Sequence, residues 1–247
     1  MTSKPIYKPK GRALEYSPDA LACNIYTECA YGCTYCWARD MAKRFGKPWT
    51  GNVKPRNGIV DAVKRQLERE QITGRLIHLC FTCDPYPNSI DTTATGEIIE
   101  AIKDSGNHVQ ILTKGGWDIG RDLELLDGND WFGVSYTYND PKYRIHEPKS
   151  LPSDVRIKLL RKVKESGIKT WVSCEPVLEP EAVYRLISYF DAEDYIDLYR
   201  IGKMNYYTSD INWGEFGREC ERLCKQYGRN YYIKDDLRKE MEKREQQ

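Results

Sequence analysis

The stretch Leu76-Ile-His-Leu-Cys-Phe-Thr82, followed by Ile98, Ile99 and Ile102, then Gly106 and His108-Val-Gln-Ile-Leu-Thr113, reads as strand, helix and strand in succession. The two flanking runs are short and apolar and carry no helical spacing, whereas the isoleucines recur three to four residues apart and share one helical face. Gly106, just past that helix, suits a left-handed cap. A helical crossover of this kind joins parallel strands and covers one face of their sheet.

Working outward, the same unit repeats about six times. Strand-like runs fall at 21–26, 76–82, 108–113, 131–138, 170–173 and 195–201. Helical patterns lie between them, at Ile59, Val60, Val63 and Leu67, at Leu123, Leu125 and Leu126, at Val155, Leu159, Leu160 and Val163, and at Val183, Leu186 and Ile187. Gly74, Gly128 and Gly167 are further expected caps. A complete eight-unit barrel takes about 250 residues, and here the leading residues and a charged end must be subtracted. The expected fold class is therefore α/β: a partial (β/α)6 TIM-type barrel over residues 1–233 with a mostly parallel sheet. Residues 234–247, rich in charges of both signs, are expected to form a solvated helical tail without chemistry.

Of the 247 residues, 40% are hydrophobic and 12% aromatic, which supplies a core and excludes disorder as the main state. No apolar run is long enough to span a bilayer, and residues 1–10 lack the apolar stretch of a signal peptide, so a cytoplasmic protein without membrane contact is expected. The net charge of +1 hides an asymmetry. Residues 1–75 carry 14 Lys and Arg against 7 Asp and Glu, and the remainder carries 24 against 30. One end can therefore face a polyanion, although a solvated basic face is an equally good reading.

Nine cysteines, an odd number, argue against a disulfide framework and for metal or redox chemistry where they cluster. They cluster in Cys29-Ala-Tyr-Gly-Cys33-Thr-Tyr-Cys36, directly after the first expected strand. Three thiolates on one loop, with Gly32 easing the turn, can converge on a soft metal centre. A structural zinc ion wants a fourth ligand at a recognised spacing, and neither Cys23 nor His78 gives one. A cubane iron–sulfur cluster held by three cysteines leaves one iron open to a small molecule.

These residues resemble the radical S-adenosylmethionine superfamily, whose cluster motif is three cysteines at this spacing with an aromatic residue, here Tyr35, before the last. The resemblance implies a [4Fe–4S] cluster on Cys29, Cys33 and Cys36. It also implies S-adenosylmethionine as second cofactor, cleaved reductively to a 5′-deoxyadenosyl radical that abstracts hydrogen from a substrate, and a reductant such as flavodoxin or ferredoxin. Asn24-Ile-Tyr-Thr27, Thr82-Cys-Asp-Pro-Tyr86, Ile111-Leu-Thr-Lys114 and Gly133-Val-Ser135 are similar to the spore photoproduct lyase subgroup. By that similarity Lys114 pairs with the carboxylate of S-adenosylmethionine, Ser135 hydrogen-bonds it, and Asp84 lines its amino or ribose side.

The subgroup also uses a cysteine beyond its second strand as a hydrogen donor, for which Cys83, and less favourably Cys80, are candidates. Glu175, at the end of the fifth run, is a candidate for the ribose hydroxyls or a substrate cation. Cys174 beside it is expected on the cavity side, and Lys203 is a further cavity candidate. Cys23, Cys220 and Cys224 are expected in the core, as are most of the tyrosines. Three functions stay open: a lyase or modifying enzyme acting on nucleic acid, a radical modification of a peptide or protein, and a non-catalytic iron–sulfur or zinc protein.

Overall fold

The chain opens with the two-residue strand β1 (Ile6–Tyr7), antiparallel to β2 (Leu21–Cys23). Six more strands follow in parallel, each beside its predecessor: β3 (Leu76–Leu79), β4 (His108–Thr113), β5 (Trp131–Ser135), β6 (Lys169–Cys174), β7 (Leu198–Ile201) and β8 (Tyr231–Ile233). Neighbours in sequence are neighbours in space, and β1 and β8 form the two edges of an unclosed sheet. This is a computed structural model, and it describes residues 4–243 except 18, 89, 117, 190 and 191. Residues 244–247 of the expected tail lie outside that range.

The six expected runs are β2 to β7, and β1 and β8, of two and three residues, extend the sheet at its edges. Helices cover the outer face: α1 (Trp37–Arg44), α2 (Ile59–Glu70), α3 (Thr93–Asp104), the one-turn α4 (Ile119–Asp122), α5 (Ser153–Glu165), α6 (Pro180–Ser188), α7 (Trp213–Gln226) and α8 (Asp235–Glu242). Ile59, Val63 and Leu67 of α2 and Ile98, Ile99 and Ile102 of α3 are buried, as their spacing requires. Gly74, Gly106 and Gly167 take positive φ after their helices; Gly128 does not, because the short helix before it already ends at the extended Leu126.

Alternation along each strand divides outside from inside. Ile77, Leu79, Val109, Ile111, Phe132 and Val134 pack outward in the helix-covered core. Inside the barrel, Trp171 lies against Gly133, where an added Cβ would come within 2.3 Å of the indole. Its Nε1 donates to the Ile111 carbonyl at 3.0 Å. Tyr16, at the end of a 3-10 helix (Gly11–Tyr16), packs on Trp171, His78 and Phe81 with ring centroids 5.4–5.7 Å apart. The amino-terminal segment thus plugs the interior beneath the strand ends.

The charged end is not a solvated tail throughout. Leu237 of α8 is fully buried, Gly214 and Gly217 of α7 leave room for Glu240 and Met241, and Lys234 just before α8 is 1% exposed.

Candidate active site

The loop that carries Cys29, Cys33 and Cys36 follows β2 and is pinned from three sides. Tyr31 Oη donates to the Tyr86 carbonyl at 2.6 Å, Thr34 N–H donates to the His146 carbonyl at 3.0 Å, and Arg39 donates to the carbonyls of Cys33 and Thr34 at 3.0 and 2.8 Å. Gly32 sits between the cysteines at φ +67°, a conformation that disfavours a side chain. Cys36 is the N-cap residue of α1, so the positive end of that helix faces whatever negative charge the sulfurs carry.

Cys29, Cys33 and Cys36 all line one cavity of about 740 Å³, together with Cys83, Asp84, Lys114, Ser135 and Glu175. Burial pushes the Cys33 thiol up to about 11 and Cys29 well above the usual thiol value, the latter helped by the charges of Asp84, Cys33 and Cys36. Two buried thiols held at such a cost, with Cys36 beside them on the same loop, suit a strongly positive centre that takes sulfur as thiolate. Among the described residues the three sulfurs are not gathered within 4.8 Å of one another, the spacing at which side chains crowd one ion. The donor set fits a polynuclear cluster with an open position.

Lys114 follows β4 and reaches into this cavity, its Nζ donating to Ser135 Oγ at 3.1 Å and lying 5.9 Å from the Tyr35 ring centre. Behind it stands a network that the sequence patterns did not reveal. Glu147, fully buried, accepts hydrogen bonds from Tyr35 Oη, from Thr137 Oγ1 at 3.0 Å, from Ser150 Oγ at 3.3 Å and from Arg156 of α5, and lies 3.9 Å from Lys114 Nζ. Arg156, also fully buried, further donates to the carbonyls of Leu151 and Ser135, both at 2.7 Å. Burial alone would raise the Glu147 carboxyl, but Arg156, Lys114 and the Tyr35 hydroxyl outweigh it and hold the pKa below the usual value. Desolvation likewise opposes the charge on Lys114, and Glu147 with Cys33 overrides it, so Lys114 is an ammonium in the cavity wall. Tyr35 therefore links the cluster loop to the lysine.

Asp84 lines the cavity, but its oxygens serve the frame: Oδ1 accepts from Tyr86 N–H at 2.9 Å and Thr113 Oγ1 at 2.6 Å, and Oδ2 from Lys114 N–H at 2.9 Å. Burial raises its pKa against those hydrogen bonds.

Glu175 lies at the opposite wall, bonded to Lys234 Nζ and to Arg12 Nη2 at 2.5 Å. Arg12 also meets Asp236 at 2.9 Å, and Lys234 stands 4.0 Å over the Tyr16 ring. Burial would lower the Lys234 pKa, yet Tyr16 and Glu175 carry it above the ordinary value. Lys203 lines the cavity and pairs with Glu240.

Cys83 and Cys80 both line the cavity, Cys83 half-buried and Cys80 6% exposed in a left-handed backbone conformation. Cys174 does not reach it. On β6 the inward residues are Trp171 and Ser173, with Glu175 just past the strand end continuing the alternation, so Cys174 turns outward into the core beside Cys220 and Cys224 of α7. Tyr136 is likewise packed in that core, away from the cavity. Cys23 is in the core too, its thiol pushed up to about 12 by burial.

A family model described as the radical SAM superfamily matches residues 23–181, which include the cluster loop, β3 to β6 and the Glu147 network. The chain belongs to the radical S-adenosylmethionine superfamily. Radical S-adenosylmethionine proteins use a [4Fe–4S] cluster and S-adenosylmethionine, and those are the cofactors of this chain. Uncharacterised proteins of Acidianus two-tailed virus and Methanocaldococcus jannaschii are 28% identical over 73% of this chain and 30% identical over 63% of it. The chain spans 64% and 59% of their lengths, under two thirds in each case. The fold is like that of a single-site variant of spore photoproduct lyase, with a TM-score of 0.70, 14% identity, and coverage of 95% of this chain and 80% of that one. Spore photoproduct lyase complexed with dinucleoside spore photoproduct matches at a TM-score of 0.66 and 15% identity, covering 88% of this chain and 77% of that one. Streptococcus suis SuiB bound to S-adenosylmethionine matches at 0.64 and 16%, covering 90% and 52%. At these identities the structural likeness concerns the fold.

Proposed function

We propose that Cys29, Cys33 and Cys36 hold the cluster, that Lys114 and Ser135 receive the carboxylate of S-adenosylmethionine, and that the enzyme takes hydrogen from a nucleic-acid substrate as a lyase or modifying enzyme. The reading is carried by one observation: three thiols on one loop and a partly buried ammonium open into a single cavity at the carboxyl ends of parallel strands, where barrel sites are built. When bound, the two cofactors supply reductive cleavage of a carbon–sulfur bond and a 5′-deoxyadenosyl radical as hydrogen acceptor.

The chain's own residues bind, orient and exclude water. Lys114, held charged by Glu147, is the natural partner of a carboxylate. Tyr35, anchored on the same Glu147, fixes the loop before Cys36. Asp84 stiffens the turn that aims Lys114, and Glu175 offers its cavity side to ribose hydroxyls. Trp171 and Tyr16 close the interior beneath the site against solvent. Cys83 is the thiol best suited to act as hydrogen donor, giving a hydrogen atom to the product radical and being left as a thiyl. A Cys83→Ala variant that still quenches the substrate radical with undiminished product yield would remove it from that role.

For the substrate, Lys10 lines the cavity and Lys8, two residues before it, is exposed, so the basic amino-terminal third reaches the site. The spore photoproduct lyase complex with a dinucleoside offers a parallel in fold. A cationic peptide is the second reading. It is favoured by a neighbouring groove that shares Tyr35 and Met204 with the cavity and carries Glu181, Asp210 and Glu215 beside Tyr143 and Tyr184. Nine free cysteines and an oxygen-sensitive cluster suit the reducing cytoplasm. No described helix is long and apolar enough to cross a membrane.

Anaerobic reconstitution followed by dithionite and S-adenosylmethionine is expected to yield 5′-deoxyadenosine. The catalytic reading is falsified if a fully loaded protein never releases it. Single-stranded oligonucleotides are expected to bind in a salt-dependent manner and to accelerate that release; acceleration by cationic peptides alone transfers the substrate assignment to the second reading.

A further inference from the structure

The chain from Met41 to Gly58 holds five Lys and Arg and no Asp or Glu, in a protein whose charges otherwise nearly balance. Lys43, Arg44, Lys47, Lys54 and Arg56 are exposed, and among the described residues none of them is paired with a carboxylate. The acid nearest in sequence, Asp40, is already engaged by Arg39 at 3.7 Å and by Tyr207 Oη. The segment is fixed in place. The buried Glu28 carboxylate accepts from Thr50 N–H at 2.7 Å and from Gly51 N–H at 2.6 Å. Thr27 N–H donates to the Lys54 carbonyl at 3.0 Å, and Arg56 N–H to the Ile25 carbonyl at 2.9 Å. Residues 25–28 run directly into Cys29, so one segment anchors the basic loop and leads to the cluster thiols. Helix α1 joins that loop to the cavity. Its Trp37 and Met41 line the cavity and are each 40% exposed, and Phe45, one turn further on, is 69% exposed between Arg44 and Lys47. Apolar and aromatic surface therefore begins in the cavity wall and runs out among cations.

We infer that α1 and the loop after it form a track for a single strand of nucleic acid leaving the cavity. Unpaired bases lie against Trp37, Met41 and Phe45, and phosphates against Lys43, Arg44, Lys47 and Lys54. A cationic groove interleaved with aromatic side chains holds unpaired strands, because every base offers a face to stack. A duplex keeps its bases stacked on one another and leaves the apolar part of the track unused. The helix is about 12 Å long, which at roughly 3.4 Å per nucleotide is about three to four nucleotides. A dinucleotide held in the cavity therefore stops short of the cations, whereas a longer strand reaches them. The inference rests on the reading that the substrate is a nucleic acid, and adds which form it takes and where it runs.

The test measures binding of a labelled single strand of about 12 nucleotides, the same sequence as a duplex, a dinucleotide, and polyglutamate as a polyanion without bases. In a Lys43→Gln, Arg44→Gln, Lys47→Gln, Lys54→Gln variant the single strand is expected to bind about tenfold or more weakly. Its dependence of log affinity on log salt is expected to flatten by up to about 2.8, at roughly 0.7 for each lost phosphate contact. Dinucleotide affinity and the denaturant midpoint are expected to stay at wild-type level. Phe45→Ala is expected to weaken the single strand about fivefold or more, leaving its salt dependence and duplex binding unchanged. Wild-type affinity and salt dependence in the fourfold variant overturn the inference. So does a wild type that binds no oligonucleotide, or that binds duplex or polyglutamate as tightly as the single strand, which makes the segment an unselective basic face. Failure of dithionite to drive 5′-deoxyadenosine release in wild type counts against the proposed chemistry, a result distinct from all of these.

Discussion

Replacing Glu147 with alanine removes the single anion that three hydroxyl groups and two cations share. Thr137 and Ser150 lose an acceptor, Tyr35 Oη is left buried without its partner, and Arg156 and Lys114 keep their charges. Arg156 retains its bonds to the Leu151 and Ser135 carbonyls and to Ser150 Oγ at 2.8 Å, so its hydrogens remain mostly satisfied. What it loses is charge compensation at full burial, and breaking a buried pair from one side costs about 3–5 kcal/mol. For a chain of this size that is a fall in Tm of roughly 6–20 °C. Urea unfolding of wild type, Glu147→Ala and a Glu147→Leu, Arg156→Met double variant provides the assay, because removing both charges is expected to recover much of the loss. Unfolding of Glu147→Ala within about 1 kcal/mol of wild type would show that Glu147 does not carry the Arg156 charge, since breaking a buried pair costs about 3–5 kcal/mol.

Alanine at each of Cys29, Cys33 and Cys36 together is expected to abolish the visible absorption of the reconstituted protein; colour that survives moves the cluster elsewhere. Gly133→Ala places a methyl 2.3 Å from the Trp171 indole and is expected to cost about 1–3 kcal/mol, measured by denaturant midpoint. His78, buried and hydrogen-bonded to Gln110 at 3.0 Å, has its pKa lowered to about 4 by burial, against the hydrogen bond to Gln110. The unfolded histidine takes its proton near 6.5, so between those values the unfolded state binds more protons. Stability is then expected to fall as pH drops from 6.5 to 4, by up to about 3 kcal/mol from this group. A His78→Gln variant that shows the same pH slope as wild type would remove His78 as its source.

The repeating units were legible because they are local. His108–Thr113 coincides with the predicted run, and the isoleucines of α3 are where their spacing put them. Strand ends were less legible: the runs at 21–26 and 131–138 stop at Cys23 and Ser135, where the chain turns to build the site. The cysteine motif was readable because its three members are seven residues apart at most. Glu147 and Arg156 were not, because a carboxylate after a 3-10 turn and an arginine in an amphipathic helix have the composition of surface residues until tertiary packing buries both. Cys174 was placed on the wrong side by its position at a strand end, and the alternation of Trp171, Ser173 and Glu175 corrects it. The charged end misled for the same reason as Arg156: Lys234 and Leu237 are few among many exposed charges, yet they are the residues that dock.

The wall around Glu175 joins segments far apart in sequence, since Arg12 approaches it from before β2 and Lys234 from after β8. During synthesis Cys36 is made 198 residues before Lys234. At roughly 5–20 residues per second that interval is about 10–40 s. The cluster loop is thus finished early and its chamber late, and until Lys234 arrives that side lacks its ammonium.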